Sequence, residues 1–308
     1  MNTGISKENV PTISLIVVTW NSWNDLDRCM QSVYASDFQD LEVIVIDNAS
    51  VDETCDKLKK SYPQATLHRN STNLGHARGV NQGFRLVHGK YVMVLDVDTE
   101  FPPNMIRGML EFIRAHPQVS LATPRTLNTD GTIQESARNF PTMMNGLFGR
   151  QSLLTRWFPN NRFSRRYLVR DYLDATKPFS VEHISAACMF FPATLLDEVG
   201  GWDEQIPGYW IDADWCMAIK KQGKQIYCVP EFRITHHENF ARGKRKSARR
   251  IWLFHYGAYQ LYNKWYCWGR LDPRSLFAAV MLASRAVLMI IGNIVSSALE
   301  QILKKIRF

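Results

Sequence analysis

The chain has 308 residues, of which 45% are hydrophobic and 12% aromatic, with a formal net charge of +8 and a pI near 9.2. That length suits one large α/β domain plus an appendage, and the composition excludes a disordered chain. The positive balance points to an anionic partner: nucleic acid, membrane phospholipid or a phosphorylated substrate.

In chain order, ISLIVV (Ile13–Val18) reads as a strand buried on both faces and ends in Thr19-Trp20-Asn21-Ser22. Leu26–Tyr34 reads as a helix capped by Asn24 or Asp25. EVIVI (Glu42–Ile46) is a second strand with Asp47-Asn48-Ala49-Ser50 at its exit, and Asp52-Glu53 open a helix toward Tyr62. A short strand near Ala65–His68 and a helix from about Ala77 to Val87 follow. This rhythm predicts an α/β fold with a doubly wound, mostly parallel sheet flanked by helices. Asp47 reads either as a turn or capping residue or as an ionised acceptor for a nucleobase imide N–H. NLGHARGVNQG (Asn73–Gly83) allows close backbone approach, and a helix N-terminus there favours phosphate. It lacks the Rossmann and Walker spacings.

Tyr91–Leu95 is a further buried strand, and it ends in Asp96-Val97-Asp98. A buried strand hosts charge only at its exit, and ligands of open α/β sheets lie outside the carboxyl ends of strands. Strand alternation predicts both carboxylates on one side, able to address one hard cation such as Mn²⁺ or Mg²⁺ carrying a diphosphate. A solvated turn is the competing reading. Phe112–Ser120 completes a helix stopped by Pro117, Thr129-Asp130-Gly131 is a turn, and Gln151–Lys177 reads as a basic loop. Ile184–Phe191 reads as a strand. Tyr209, Trp210 and Trp215 offer flat faces for sugar rings or for core packing. Strand Gln225–Val229 leads through Pro230 to His236 and His237, and an imidazole there can complete a Mn²⁺ site. The basic run Arg242–Arg250 is either a solvated loop, a lid over a diphosphate or a lipid contact.

TWNS, IDNAS, NLGHARGVNQG, VLDVDT, RTLNTDGTIQESARNFPT, GGWDE and HH, in this order from Ile13 to Glu238, resemble the family 2 glycosyltransferases, and within them the bacterial rhamnosyltransferases. The resemblance implies a GT-A fold and an inverting, metal-dependent transfer of a sugar, L-rhamnose from dTDP-L-rhamnose or else a UDP-hexose. It implies that Thr19, Asn21, Asp47 and Asn48 hold the base and ribose, that Asn73, Gly75, Arg78 and Asn81 line the nucleotide pocket, and that Asp96 touches ribose or sugar. It implies that Asp98 and His236 bind the metal, with His237 as substitute. Asp212 is the implied general base and Asp214 the second choice, or a cap for a helix starting at Trp215. Ile211 stands where the family usually carries Glu, and Ala186 where it usually carries Gly. Trp202, Asp203, Tyr209 and Trp210 are the implied acceptor contacts.

Leu276–Leu299 is long and mostly apolar. Arg285, Gly292, Asn293, Ser296, Ser297, Glu300, Gln301 and Lys304 fall on one helical stripe, with Leu276, Val280, Val287, Leu288, Ile291, Ile294 and Leu299 around it. The pattern, closed by Lys304, Lys305 and Arg307, predicts an in-plane membrane helix, with a membrane span and a docked or dimer-interface helix as alternatives. The expected domains are a catalytic one over residues 1–245 and a helical, membrane-associating region over 246–308, its amphipathic helix at about 274–307. The expected partners are a nucleotide-sugar donor, a lipid-linked saccharide acceptor, an anionic membrane surface and a second copy of the chain. The site expected is the cytoplasmic face of a bacterial inner membrane. Met1–Thr12 carries no signal-peptide apolar run, and the six scattered cysteines read as reduced thiols. No RNP or zinc pattern supports nucleic acid.

Overall fold

The structure is a computed structural model describing residues 10–142, 153–237 and 247–306. The chain divides into two compact units. One is Met1–Trp202 with Trp215–His237, and the other is Asp203–Asp214 with Glu238–Phe308. The expected boundary between residues 245 and 246 falls within residues 238–246, outside the described residues. Asp203–Asp214 groups with the C-terminal helices.

The first unit opens with β1 (Ile13–Thr19), every residue of it buried. Ile13, Leu15, Ile16 and Val17 are each 0% exposed, and each such side chain contributes about 1.5–3 kcal/mol by leaving water. Helix α1 (Trp23–Tyr34) buries Leu26, Cys29, Met30 and Val33, the i, i+3, i+4, i+7 stripe of an amphipathic helix. It starts earlier than expected, with Ser22 at its N-cap position instead of Asn24 or Asp25. β2 (Leu41–Asp47), α2 (Thr54–Ser61), β3 (Thr66–Arg69), α3 (His76–Phe84) and β4 (Tyr91–Asp96) follow in the expected rhythm.

Then come β5 (Thr99–Glu100), α4 (Met105–Ala115), β6 (Val119–Leu127), β7 (Ala137–Arg138), α5 (Leu153–Trp157) and α6 (Arg162–Tyr167). β8 (Phe179–Val181), β9 (His183–Ile184), β10 (Cys188–Pro192), α7 (Thr194–Val199), α8 (Ile211–Lys221) and β11 (Gln225–His236) complete this part of the chain. Ser120 lies in β6, so the helix ends before Pro117, which cannot continue it. The basic stretch after residue 152 contains α5, α6 and a 3-10 turn (Arg170–Tyr172) where a loop was expected. There Arg170 pairs with Glu135 at 2.9 Å, and Arg125 donates to the carbonyls of Tyr172, Leu173 and Ala175. The Ile184–Phe191 run is two strands, β9 and β10, in different sheets. Pro230 does not end the last strand. β11 runs 12 residues and absorbs the proline in a register shift between Val229 and Arg233.

The main sheet has the order β3-β2-β1-β4-β10-β6-β11-β5, with β8 on β11. β1, β2, β3 and β4 pair in parallel, whereas β10 runs antiparallel to β4 and β6. The sheet is therefore parallel in its first half and mixed in its second, less parallel than expected. Gly79 and Gly83 account for how α3 lies on β1. A Cβ at Gly83 would stand 2.5 Å from Ile16 Cγ2, and one at Gly79 would stand 2.8 Å from Val18 Cγ1.

In the second unit, α9 (Ala248–Tyr266) and α10 (Pro273–Ile306) form a packed hairpin. Asp272 caps α10, accepting from the Arg274 N–H at 2.9 Å, and Pro273 takes the first helical position, where no N–H is needed. Pro273–Ser297 is long and apolar enough to cross a membrane, with mean hydropathy 2.0 over its most apolar window and 17% of that window buried. Ala278 and Ala286 are buried, while Val280, Leu288, Ile291 and Ile294 are all more than half exposed. The basic segment 238–246 and the side chains of Lys304, Lys305 and Arg307 lie outside the described residues.

Candidate functional site

Strand register assembles the acids. Thr19 pairs with Asp47 across β1 and β2, and Val18 pairs with Asp96 across β1 and β4. Asp47 and Asp96 therefore flank β1 two strand spacings apart, about 10 Å. β1 is also where the strand order reverses, the crevice in which open α/β sheets bind ligands.

Asp98 is reached by a turn, not by strand alternation. β4 ends at Asp96, and the turn is closed by Thr99 Oγ1 donating to the Asp96 carbonyl at 2.7 Å. The strand β11 arrives beside it, with the His237 N–H donating to the Asp98 carbonyl at 2.9 Å. His236 Nε2 then lies 3.0 Å from Asp98 Oδ1 and 3.7 Å from Asp96 Oδ2. Ligand atoms of Asp96, Asp98 and His236 all fall within 4.8 Å of one another. Ligands held at about 2.1 Å from a hard cation are at most about 4.2 Å apart, so a slight contraction suits one. His236 Nδ1 lies 2.9 Å from Gln134 Oε1, a carbonyl that fixes Nδ1 as the donor and leaves Nε2 facing the carboxylates. His237 instead meets Glu100 at 3.1 Å.

Asp47 is 0% exposed. Its Oδ2 accepts from the Ser50 N–H at 2.9 Å and lies 3.7 Å from Arg69 Nε. Its Oδ1 is buried with no hydrogen-bond partner among the described residues. Burial, reinforced by the Asp47 carboxylate, pushes the adjacent Cys55 thiol up to about 11. Asn21 and Ala49 both adopt positive φ, 47° and 63°, in the loops after β1 and β2. Such strain persists where surroundings over-determine it. Here Asn21 donates its N–H to Ser50 Oγ and accepts from the Val51 N–H, both at 2.8 Å. Asn21 thus ties the two loops together, and Thr19 Oγ1 meets Ser22 Oγ at 2.8 Å.

Asn48 donates to the Gly75 carbonyl at 3.1 Å, and Asn73 Oδ1 accepts from the Gly75 N–H at 2.9 Å, which shapes the start of α3. Gly75 itself needs φ 86°. Arg78 is exposed. Asn81 departs from its expected place. Its amide clamps the backbone of Trp202, donating to the carbonyl at 2.9 Å and accepting from the N–H at 2.8 Å. Trp202 is likewise a core residue at 3% exposure, its ring 5.5 Å from His76. Trp215, 1% exposed, donates to the Gly200 carbonyl at 3.0 Å, the core-packing alternative for that ring.

Sequence reasoning missed His76 and Gln134. His76 Nε2 is 3.6 Å from Asp96 Oδ1, and its place inside the glycine-rich motif was the available signal. Gln134 lies in the quoted motif RTLNTDGTIQESARNFPT, but nothing local in that motif ties it to a histidine 102 residues away. A depression of about 430 Å³ lined by Asn21, Trp23, Asp25, Glu53 and neighbours includes none of Asp47, Asp96 or Asp98 in its lining.

The second unit holds the other expected acids. α8 starts at Ile211, so Asp212 and Asp214 both lie in its first turn and Asp214 does not cap a helix at Trp215. Ile211 is 3% exposed, an apolar side chain turned inward. Asp212 is half-buried, its Oδ1 accepting from the Ala213 N–H at 2.9 Å. Asp214 is 3% exposed, with Lys264 Nζ 2.9 Å from Oδ2 and Trp265 Nε1 2.6 Å from Oδ1. Burial holds the Asp214 carboxyl above its usual value, against the hydrogen bonds of Lys264 and Trp265. Lys264 also meets Asp203 at 2.7 Å. Tyr209 accepts from Arg250 Nε at 3.0 Å, and Trp210 Nε1 donates to the Phe254 carbonyl at 3.0 Å.

Residues 14–187 match the profile of Glycosyl transferase family 2. The N-acetylglucosaminyl-diphospho-decaprenol L-rhamnosyltransferase of Mycobacterium tuberculosis is 24% identical over 243 residues, 75% of this chain and 78% of that protein. The hyaluronan synthase of Pasteurella multocida is 28% identical over 150 residues, 47% of this chain and 15% of the synthase. The fold is similar to the mannosyltransferase PcManGT of Pyrobaculum calidifontis, solved with GDP-Man and Mn²⁺ (TM-score 0.57, 19% identity, 94% of this chain and 75% of that one). It is also similar to GalNAc-T7, solved with UDP, GalNAc and Mn²⁺ (TM-score 0.61, 15% identity, 84% of this chain and 49% of that one). The fold is thus the mixed α/β GT-A architecture, and the chain, an enzyme, belongs to glycosyl transferase family 2.

Proposed function

We propose that this glycosyltransferase is inverting and moves L-rhamnose from dTDP-L-rhamnose onto a hydroxyl of a lipid-linked saccharide during cell-envelope polysaccharide synthesis. The observation that carries the reading is the cluster of Asp96, Asp98 and His236 at the carboxyl edge of the parallel strands, with Asp47 two strands away. The mycobacterial relative supports the sugar and the lipid-linked acceptor.

Asp47 Oδ1 accepts the imide N–H of the base, which gives its buried oxygen the partner it otherwise lacks. Thr19 and the Asn48 and Asn73 loops shape the ribose side, and Gly75 and Arg78 border the phosphates at the start of α3. Asp98 and His236 would hold Mn²⁺ or Mg²⁺, with Asp96, whose carboxylate lies in the same cluster, placed to contact ribose or sugar. A cation bound by these residues would supply positive charge opposite the leaving nucleoside diphosphate. Asp212 takes the proton from the acceptor hydroxyl as its oxygen attacks the anomeric carbon, in one displacement that inverts the configuration. Asp214 is the weaker candidate, because both of its oxygens already accept hydrogen bonds.

The exposed apolar stripe of α10 and the exposed Trp252 and Trp268 support peripheral attachment to the cytoplasmic face of the inner membrane, where a lipid-linked acceptor resides. A second donor class, UDP-hexose or UDP-N-acetylhexosamine, is favoured by the likeness to GalNAc-T7, whose structure holds UDP and GalNAc. The test offers purified protein each nucleotide sugar with Mn²⁺, Mg²⁺ or EDTA, with membrane extract as acceptor, and reads release of nucleoside diphosphate. Cation-dependent release from dTDP-L-rhamnose is expected. Release from a UDP-sugar and none from dTDP-L-rhamnose would instead identify the second donor class.

A further inference from the structure

The segment that carries Asp212 is built on α9. Gly257 lets α9 approach it, since a Cβ there would stand 2.9 Å from the Tyr209 carbonyl oxygen and 3.2 Å from Trp210 Cδ1. Trp210, the residue before α8, has φ 75°, a conformation strongly disfavoured for a bulky side chain. It is held by its indole bond to the Phe254 carbonyl and by ring contact with Phe254 at 5.1 Å. Within the first turn of α8, Asp214 is gripped on both oxygens by consecutive residues of the last turn of α9. Lys264 takes Oδ2 at 2.9 Å and Trp265 takes Oδ1 at 2.6 Å. Lys264 bridges onward to Asp203 at 2.7 Å, so one ammonium ties both ends of the Asp203–Asp214 segment. A carboxylate 3% exposed with charge-assisted bonds to both oxygens is a rigid anchor.

We propose that Lys264 and Trp265 are positioning residues: through Asp214 they set the first turn of α8 and hence the orientation of Asp212 toward the acceptor hydroxyl. This rests on the assignment of Asp212 as the base. Two residues along a helix lies Asp214, so a tilt of that turn displaces the Asp212 carboxylate while leaving Asp47, Asp98 and His236 in a separate compact unit. The grip therefore bears on turnover and not on donor affinity. Lys264 and Trp265 also sit one short turn before Asp272, the cap of α10, so the hairpin that presents the apolar stripe is the same one that holds the base segment.

The test measures kcat, donor KM and nucleoside diphosphate affinity for Lys264→Met, Trp265→Phe, Asp214→Asn and Lys264→Arg, with Asp212→Asn as reference. Lys264→Met and Asp214→Asn are expected to lower kcat on the order of a hundredfold, the scale of a roughly 1 Å misplacement, while donor KM and nucleotide affinity stay within about twofold of wild type. Lys264→Arg, which keeps the charge, is expected to recover most of the loss. The Lys264→Met, Asp214→Asn double variant should be no worse than either single one, because the two act as one unit. Wild-type kcat in folded Lys264→Met and Asp214→Asn, with Asp212→Asn inactive, overturns this inference alone. Equal losses in kcat and nucleotide affinity also overturn it, since they report general disruption. An active Asp212→Asn overturns the base assignment and this inference together.

Discussion

His236 Nε2 stands 3.0 Å from Asp98 Oδ1 although the two lie far apart along the chain. The pairing arises because β11 runs past its proline to reach the turn after β4. Substituting either residue should abolish cation-dependent turnover and Mn²⁺ binding, read by calorimetric titration of the protein with MnCl₂. Undiminished Mn²⁺ affinity in Asp98→Asn or His236→Ala would show that the ion is held elsewhere.

Gln134 accepts from His236 Nδ1 and so holds the ring with Nε2 toward the carboxylates. Gln134→Leu should weaken Mn²⁺ binding by about 10- to 100-fold, the usual cost of losing the partner that orients a ligating imidazole. The same titration measures it, and nucleotide binding without metal should not change.

Asp47 buries an unpartnered oxygen at the carboxyl edge of β2. Asp47→Asn replaces a charged acceptor and should weaken nucleoside diphosphate binding by about 1.5–3 kcal/mol. Quenching of intrinsic tryptophan fluorescence during a dTDP or UDP titration reads this directly. Unchanged affinity would assign Asp47 to loop structure only.

Gly83 lies against β1 with no room for a methyl group. Gly83→Ala should lower the Tm through overpacking of about 1–3 kcal/mol. Gly131→Ala provides the contrast, since nothing lies within 4 Å of its Cβ and only φ +79° opposes it.

Lys264 offers a pH test. Burial disfavours its ammonium, but hydrogen bonds to Asp203 and Asp214 outweigh this and raise its pKa above the ordinary 10.5. A raised folded value means the pair stabilises fully below 10.5 and is lost as pH rises through the folded pKa. Thermal melting should therefore show a steeper alkaline fall in wild type than in Lys264→Met.

The apolar stripe of α10 predicts sedimentation with anionic vesicles. Leu288→Asp with Ile291→Asp, both in the exposed stripe, should reduce it sharply at constant salt while leaving turnover of a soluble acceptor in place.

Much of this protein could be read along the chain. The buried runs ISLIVV, EVIVI and YVMVL form β1, β2 and β4, because apolar runs bounded by polar loops report local burial. The acids at their exits follow from the same rule, since charge cannot enter a buried strand. Local pattern misjudged Ile184–Phe191, where one apolar run serves two sheets, and Gln225–His236, where a bulge carries the strand past Pro230. It also misplaced Asn81, whose amide reads the same whether it meets a ligand or a backbone 121 residues away. Composition and periodicity determined the parallel half of the sheet, the strand-exit acids and the exposed apolar stripe of α10. Only tertiary structure decided that Gln134 orients His236 and that Lys264 and Trp265 hold Asp214, because such partners are chosen by where distant segments meet and leave no periodic trace.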